Sequence, residues 1–72
     1  MRIVLKPKRD TAVRAGHPWI FSGAIDRVTD PESPGTLGEV VTADGRLLGR
    51  GAWNPRTSIA VRMVSRGEVA SV

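Results

Sequence analysis

The chain contains no cysteine, no tyrosine, one histidine, two tryptophans and one phenylalanine. Without cysteine there are no disulfides, no thiolate-bound zinc and no thiol nucleophile, and a reducing, cytoplasmic location is expected. A single imidazole, His17, leaves no His-rich metal site and no Cys/His catalytic pair. Long apolar runs are also missing. The opening Met1-Arg2-Ile3-Val4-Leu5 is broken by Lys6, far short of the roughly 18–20 residues of a membrane span and too early for a signal peptide.

What remains is a chain of 72 residues, 40% apolar and 25% charged, close to globular averages. That length accommodates one domain, so residues 1–72 are read as a single unit. A domain of this size buries only about 60% of its unfolded surface, so its core is expected to be compact and marginal. The ending Glu68-Val69-Ala70-Ser71-Val72 carries no capping or polar stop, and the expectation is a fragment of a longer polypeptide.

Charge is unevenly distributed. The formal net charge is +4, and positions 1–17 carry Arg2, Lys6, Lys8, Arg9 and Arg14 against Asp10 alone. Arginine supplies nine of the eleven bases. Guanidinium groups match phosphate oxygens in bidentate fashion and stack on base planes, which makes a basic, Arg-rich module a candidate nucleic-acid binder. An ordinary solvated surface is the competing reading.

The local pattern is mainly β with one or two short helices. Arg2–Lys6 reads as a strand ended by Pro7. Asp10 or Thr11 is placed to cap a short helix over 11–15, with Gly16 terminating it. Pro18 forces His17 out of the helical region, so the chain leaves extended into Trp19-Ile20-Phe21, the densest apolar cluster and an expected part of the core. A strand is expected over 25–28, followed by a loop with Pro31 and Pro34. Asp44-Gly45 between 39–42 and 47–51 is a strong hairpin signal. Gly49 and Gly51 share one side of a strand, leaving room for a bulge or for a large side chain such as Trp19. Asn54-Pro55 turns the chain into an alternating strand over 59–64. About five strands and one short helix, with frequent turns, predict a small β-barrel or pseudobarrel.

Catalytic patterns are weak. Gly49-Arg50-Gly51 is the nearest thing to a cofactor loop, but Asn54 stands where a third glycine belongs and turn signals follow instead of a helix. No triad forms around His17, and Asp30 and Glu32 fall in a Pro-rich loop where solvated carboxylates are the default.

Two separated stretches carry a resemblance. His17-Pro18-Trp19-Ile20-Phe21-Ser22-Gly23-Ala24-Ile25 and Gly45-Arg46-Leu47-Leu48-Gly49-Arg50-Gly51-Ala52-Trp53-Asn54-Pro55, with Ile59-Ala60-Val61-Arg62 following, resemble the N-terminal PUA-like domain of the bacterial class I adenosylmethionine-dependent 23S rRNA (5-methylcytosine) methyltransferases. The opening Leu5-Lys6-Pro7-Lys8-Arg9 fits as well. The resemblance implies a PUA-like β-pseudobarrel that helps present structured rRNA to a catalytic domain lying beyond Val72. It also implies that S-adenosylmethionine and the reactive cysteine belong to that other domain, so this segment is not expected to methylate RNA alone.

On that reading Lys6, Lys8, Arg9 and Arg14 contact phosphates from one basic cradle. His17 and Arg56 lie near strand and turn edges, and Asn54 reads a base or sugar or else bonds its own turn. Trp19 and Phe21 are expected in the core, while Trp53 is open between core and base stacking. The alternative is a structural role, in which the domain docks on neighbouring domains or on a twin subunit and touches RNA little.

Overall fold

The computed structural model describes residues 1–66, so the ending Glu68–Val72 lies outside the described residues. Six strands form one sheet: β1 (Arg2–Leu5), β2 (Trp19–Phe21), β3 (Ile25–Thr29), β4 (Leu37–Val41), β5 (Leu47–Trp53) and β6 (Ile59–Arg66). One helical turn, α1 (Thr11–Arg14), lies between β1 and β2, and a 3-10 turn, Ser22–Ala24, joins β2 to β3. The strand order is β2-β6-β5-β4-β1-β3. Among the described residues only the β1–β4 pairing is parallel.

The two edge strands, β2 and β3, are consecutive in the chain. The 3-10 turn therefore spans the seam of the sheet, tied to β1 by Lys6 N–H to the Ala24 carbonyl at 2.9 Å and to the β6 side by Ser22 N–H to the Ser58 carbonyl at 2.8 Å. The chain closes the barrel where no strand ladder does, which is what makes it a β-pseudobarrel and removes two open edges. Curvature comes from extra residues. Asp26, Leu48, Ala60 and Val64 each have no counterpart where the β1–β3, β4–β5, β2–β6 and β5–β6 registers shift. Such insertions bend a strand and raise its twist.

Small aliphatic side chains fill the interior. Ile3, Leu5, Val13, Ile20, Val40, Ala60 and Val61 form the core, with Trp53, Met63 and other half-buried residues packed around it. Ile3, Leu5, Val40 and Val61 are the largest side chains fully removed from solvent.

The Trp19-Ile20-Phe21 cluster is not core as a whole. Ile20 is 2% exposed, whereas Trp19 is 43% and Phe21 51% exposed. Strand alternation accounts for this: residues on either side of an inward-facing position face outward, and apolar density cannot override that period. Nor does Trp19 fill the space beside Gly49 and Gly51. A Cβ on Gly49 would lie 2.1 Å from the Ser65 carbonyl oxygen, and one on Gly51 would lie 2.5 Å from Val61 Cγ1. The glycines admit the β6 backbone and the Val61 side chain, not an indole. The bulge half of that expectation holds, since the β5–β6 register shifts between Arg50 and Gly51.

Other departures are small. There are six strands instead of about five; β3 extends to Thr29, β4 starts at Leu37, and β5 runs on to Trp53. Asp10 occupies the N-cap position of α1 but makes no side-chain capping bond. Its carboxylate accepts a hydrogen bond from Arg14 Nε at 2.5 Å. Gly16, with φ +104, ends the helical segment as expected. At the β4–β5 hairpin, Gly45 has φ +95 and its N–H donates to the Thr42 carbonyl at 3.0 Å.

Candidate nucleic-acid interface

The most distinctive surface lies between α1 and β2. A shallow groove of about 310 Å³ is lined by Lys8, Arg9 and Thr11 from the segment entering α1, and by Trp19, Phe21 and Gly23 from β2 and the turn after it. Two of the chain's three aromatic residues therefore meet two of its basic residues on the outside of the barrel. Among the described residues neither Lys8 nor Arg9 has a carboxylate within salt-bridge distance.

Lys8 is held in an unusual backbone conformation. Arg9 N–H donates to the Lys6 carbonyl at 3.1 Å, closing a turn with Pro7 in second place and Lys8, φ +68, in third. Proline suits the second position of such a turn, while the third favours glycine or asparagine. A lysine there costs roughly 1 kcal/mol of local strain, and its side chain is delivered to the groove.

The α1–β2 connection is fixed by β6, the strand paired with β2. Arg66, at the end of β6, donates from NH1 to the Val13 carbonyl at 2.8 Å, and from NH2 to the Gly16 and His17 carbonyls at 2.9 and 3.0 Å. One planar guanidinium thus gathers three carbonyls around the end of the helical turn, of which Val13 also accepts the Gly16 N–H at 3.0 Å. His17 is exposed, and its Nδ1 receives the Trp19 backbone N–H at 3.2 Å. Its ring meets the Trp19 indole edge-on, with centroids 6.1 Å apart at 73°. Sequence reasoning missed Arg66, because its partners lie about 50 residues upstream and no local pattern marks them.

The residues expected to bind RNA are all exposed but occupy three places. Lys8 and Arg9 share the α1–β2 groove. Lys6 precedes them in the same turn, its backbone bonded to Ala24. Arg14 faces the β4–β5 hairpin, where it lines a second depression with Arg46, Leu47 and Leu48. There Asp44 is held below its usual carboxylate range, chiefly by the hydrogen bond from the Thr42 hydroxyl, with smaller contributions from Arg46 and Arg14. Asn54 lines a third depression, of about 390 Å³, with Trp53, Thr57 and Arg62. Its side-chain oxygen accepts the Arg56 N–H at 3.0 Å, so that oxygen serves its own turn. Arg56 itself sits on the exposed β5–β6 loop.

Two of the three places are linked along the outer face. Trp19 on β2 stands opposite Arg62 on β6, and Arg62 opposite Ala52 on β5, so the α1–β2 groove and the Asn54 depression are joined through Arg62. No group of described residues has the composition of a metal site. Gly49 and Gly51 lie inside β5 against β6, with no space for a cofactor between them. No described helix is long and apolar enough to cross a membrane.

A curled six-stranded sheet whose edge strands are joined by the chain, with a helical turn inserted after the first strand, defines the class of small β-pseudobarrel domains. Within that class the chain belongs to the PUA-like domain family, which matches residues 3–66. It is 48% identical over 65 residues to the ribosomal RNA large subunit methyltransferase I of Shewanella frigidimarina, and 46% identical over 65 residues to that of Shewanella denitrificans. Each alignment covers 88% of this chain and 16% of the relative. The corresponding protein of Salmonella arizonae is 39% identical over 62 residues, covering 86% of this chain and 15% of its own length. The chain therefore spans about a sixth of the length of these relatives.

Proposed function

We propose that this chain is the RNA-binding module of a ribosomal RNA large-subunit methyltransferase, holding 23S rRNA for a catalytic domain elsewhere in the same polypeptide. The observation that carries the reading is the α1–β2 groove, where unpaired cations border exposed aromatic rings. An Arg-rich surface on a PUA-like barrel suits a phosphate backbone, and the relatives named above are rRNA methyltransferases. In this reading Lys6, Lys8, Arg9 and Arg14 contact phosphates, while His17, Asn54 and Arg56 border the same RNA. S-adenosylmethionine and the methylating residues lie outside this segment, which has no methyltransferase activity of its own, and the protein works in the cytoplasm.

Salt dependence tests the reading. Affinity for a 23S rRNA stem-loop is expected to fall steeply between low and moderate salt, with a log–log slope of about −0.7 to −0.9 per phosphate contacted. Joint reversal of Lys8, Arg9 and Arg14 to glutamate should flatten the slope and leave the fold intact. A flat titration of the wild-type chain would instead favour the second reading, docking on a neighbouring domain or a second copy. That reading draws on the outward-facing Leu37 and Val64, which are 51% and 63% exposed.

A further inference from the structure

We propose that the groove between α1 and β2 holds an unpaired RNA base against Trp19 and Phe21, with Lys8 and Arg9 on the phosphates flanking it. The proposal rests on the RNA-binding reading above and sharpens it: the module takes single-stranded or looped RNA in preference to a continuous duplex.

Four observations converge on the groove. Trp19 and Phe21 flank the buried Ile20, which lines the groove with them, and each ring keeps about half of its surface in water. Aromatic rings that serve only the core have no reason to stand there in a chain with so few of them. The two rings do not stack on each other, since the only aromatic pair among the described residues is the edge-on contact of His17 with Trp19. That contact and the backbone bond to His17 Nδ1 hold Trp19 against His17 at the end of the groove. The volume of about 310 Å³ is at the small end of ligand sites, suited to one planar ring and not to a folded segment.

The fourth observation is Lys8. A residue held at φ +68 where glycine is favoured retains its side chain against the local conformational preference, and that side chain lines the groove beside Arg9. The charge also discriminates between partners. Lysine is depleted at protein–protein interfaces, and two cations without carboxylates beside exposed rings suit a polyanion with π-faces. Within a duplex the bases already stack on one another, so only an unpaired base offers a face to Trp19 or Phe21.

The test compares binding of the 72-residue chain to an oligouridine strand and to a perfectly paired RNA duplex of equal length. Tighter binding of the strand is expected. Trp19→Leu should weaken it roughly five- to 150-fold, the range for losing one base stacked on an aromatic ring, with the salt slope unchanged. Trp19→Phe should keep most of the affinity. Lys8→Gly should fold at least as stably as wild type, because it relieves the left-handed backbone, yet show a shallower salt slope. Should Trp19→Leu fail to fold, Phe21→Leu gives the same readout.

Equal affinity for strand and duplex, or an unaltered affinity in folded Trp19→Leu, overturns the stacking proposal while leaving the RNA-binding reading standing. Loss of binding to the rest of the methyltransferase polypeptide, with RNA affinity intact, also overturns it and makes the groove a protein-docking site. Failure of the wild-type chain to bind either RNA brings down both.

Discussion

The two faces of β2 differ sharply although only three residues form the strand. Ile20 points inward and joins Ile3, Leu5, Val40 and Val61 in an interior built almost wholly of aliphatic side chains. Trp19 and Phe21 stay about half exposed along a groove bordered by Lys8 and Arg9, which the buried Ile20 also lines. Burial explains the residue types on the inner face, because close packing selects shape and apolarity there. It does not explain the outer face, where large rings remain half in water and a lysine occupies a glycine-like backbone position. Two of the three aromatic rings in this small domain stay about half in water while Trp53 packs against the core, so core packing alone does not account for Trp19 and Phe21.

Substitutions can break this contrast, and the interior should give the larger effects. Gly49→Ala should be the most damaging, costing about 3 kcal/mol or more, because a methyl group 2.1 Å from the Ser65 carbonyl forces β5 and β6 apart. Urea denaturation measures it, and a near-neutral result would mean that the β5–β6 contact is looser than described. Next, Ile20→Ala should cost about 2–5 kcal/mol, whereas Trp19→Leu and Phe21→Leu should each cost less than about 1.5 kcal/mol. Equal losses at these neighbouring positions would erase the difference between the two faces.

Arg66→Ala tests how the outer face is supported. It removes three charge-assisted bonds to the Val13, Gly16 and His17 carbonyls, and in their partly solvated setting a loss of about 1–2 kcal/mol is expected. Amide hydrogen exchange should accelerate in 13–19 more than in β4 or β5. Arg66→Lys should rescue little of this, since an ammonium lacks the planar fork.

The smallest expected effect is the acid response of the β4–β5 hairpin. The Asp44 carboxyl is lowered below its ordinary value of 3.8, chiefly by the Thr42 hydroxyl. Its contribution to stability is therefore present above the unfolded carboxylate value and fades as the pH falls through the lower folded value. Asp44→Asn should remove that part of the acid sensitivity, read as a smaller drop in melting temperature between pH 5 and pH 2.

Much of the architecture was legible from local chemistry. The Asp44-Gly45 hairpin, the helix stop at Gly16 and the extended chain after Pro18 each rest on one residue's backbone preference, and each is present. What resisted reading depends on contacts distant in sequence. The destination of Trp19 and Phe21 hinges on which face of an edge strand meets the barrel, which apolar density alone does not decide. The Gly49–Gly51 space is occupied by β6, and only the register of pairing reveals it. The basic residues at 6–14 were visible as charge, but their division between the aromatic groove and the Arg46 depression follows from where α1 sits. Arg66 was legible only as one more base.

The most direct test of the central claim is an NMR titration of the 72-residue chain with an unpaired RNA strand, followed through the backbone amides and the two indole N–H signals. The account predicts shifts concentrated at Lys8, Arg9, Trp19 and Phe21, with the Trp19 indole moving more than that of Trp53. Shifts confined to β1, β3 and β4, with the Trp19 indole unmoved, would contradict it.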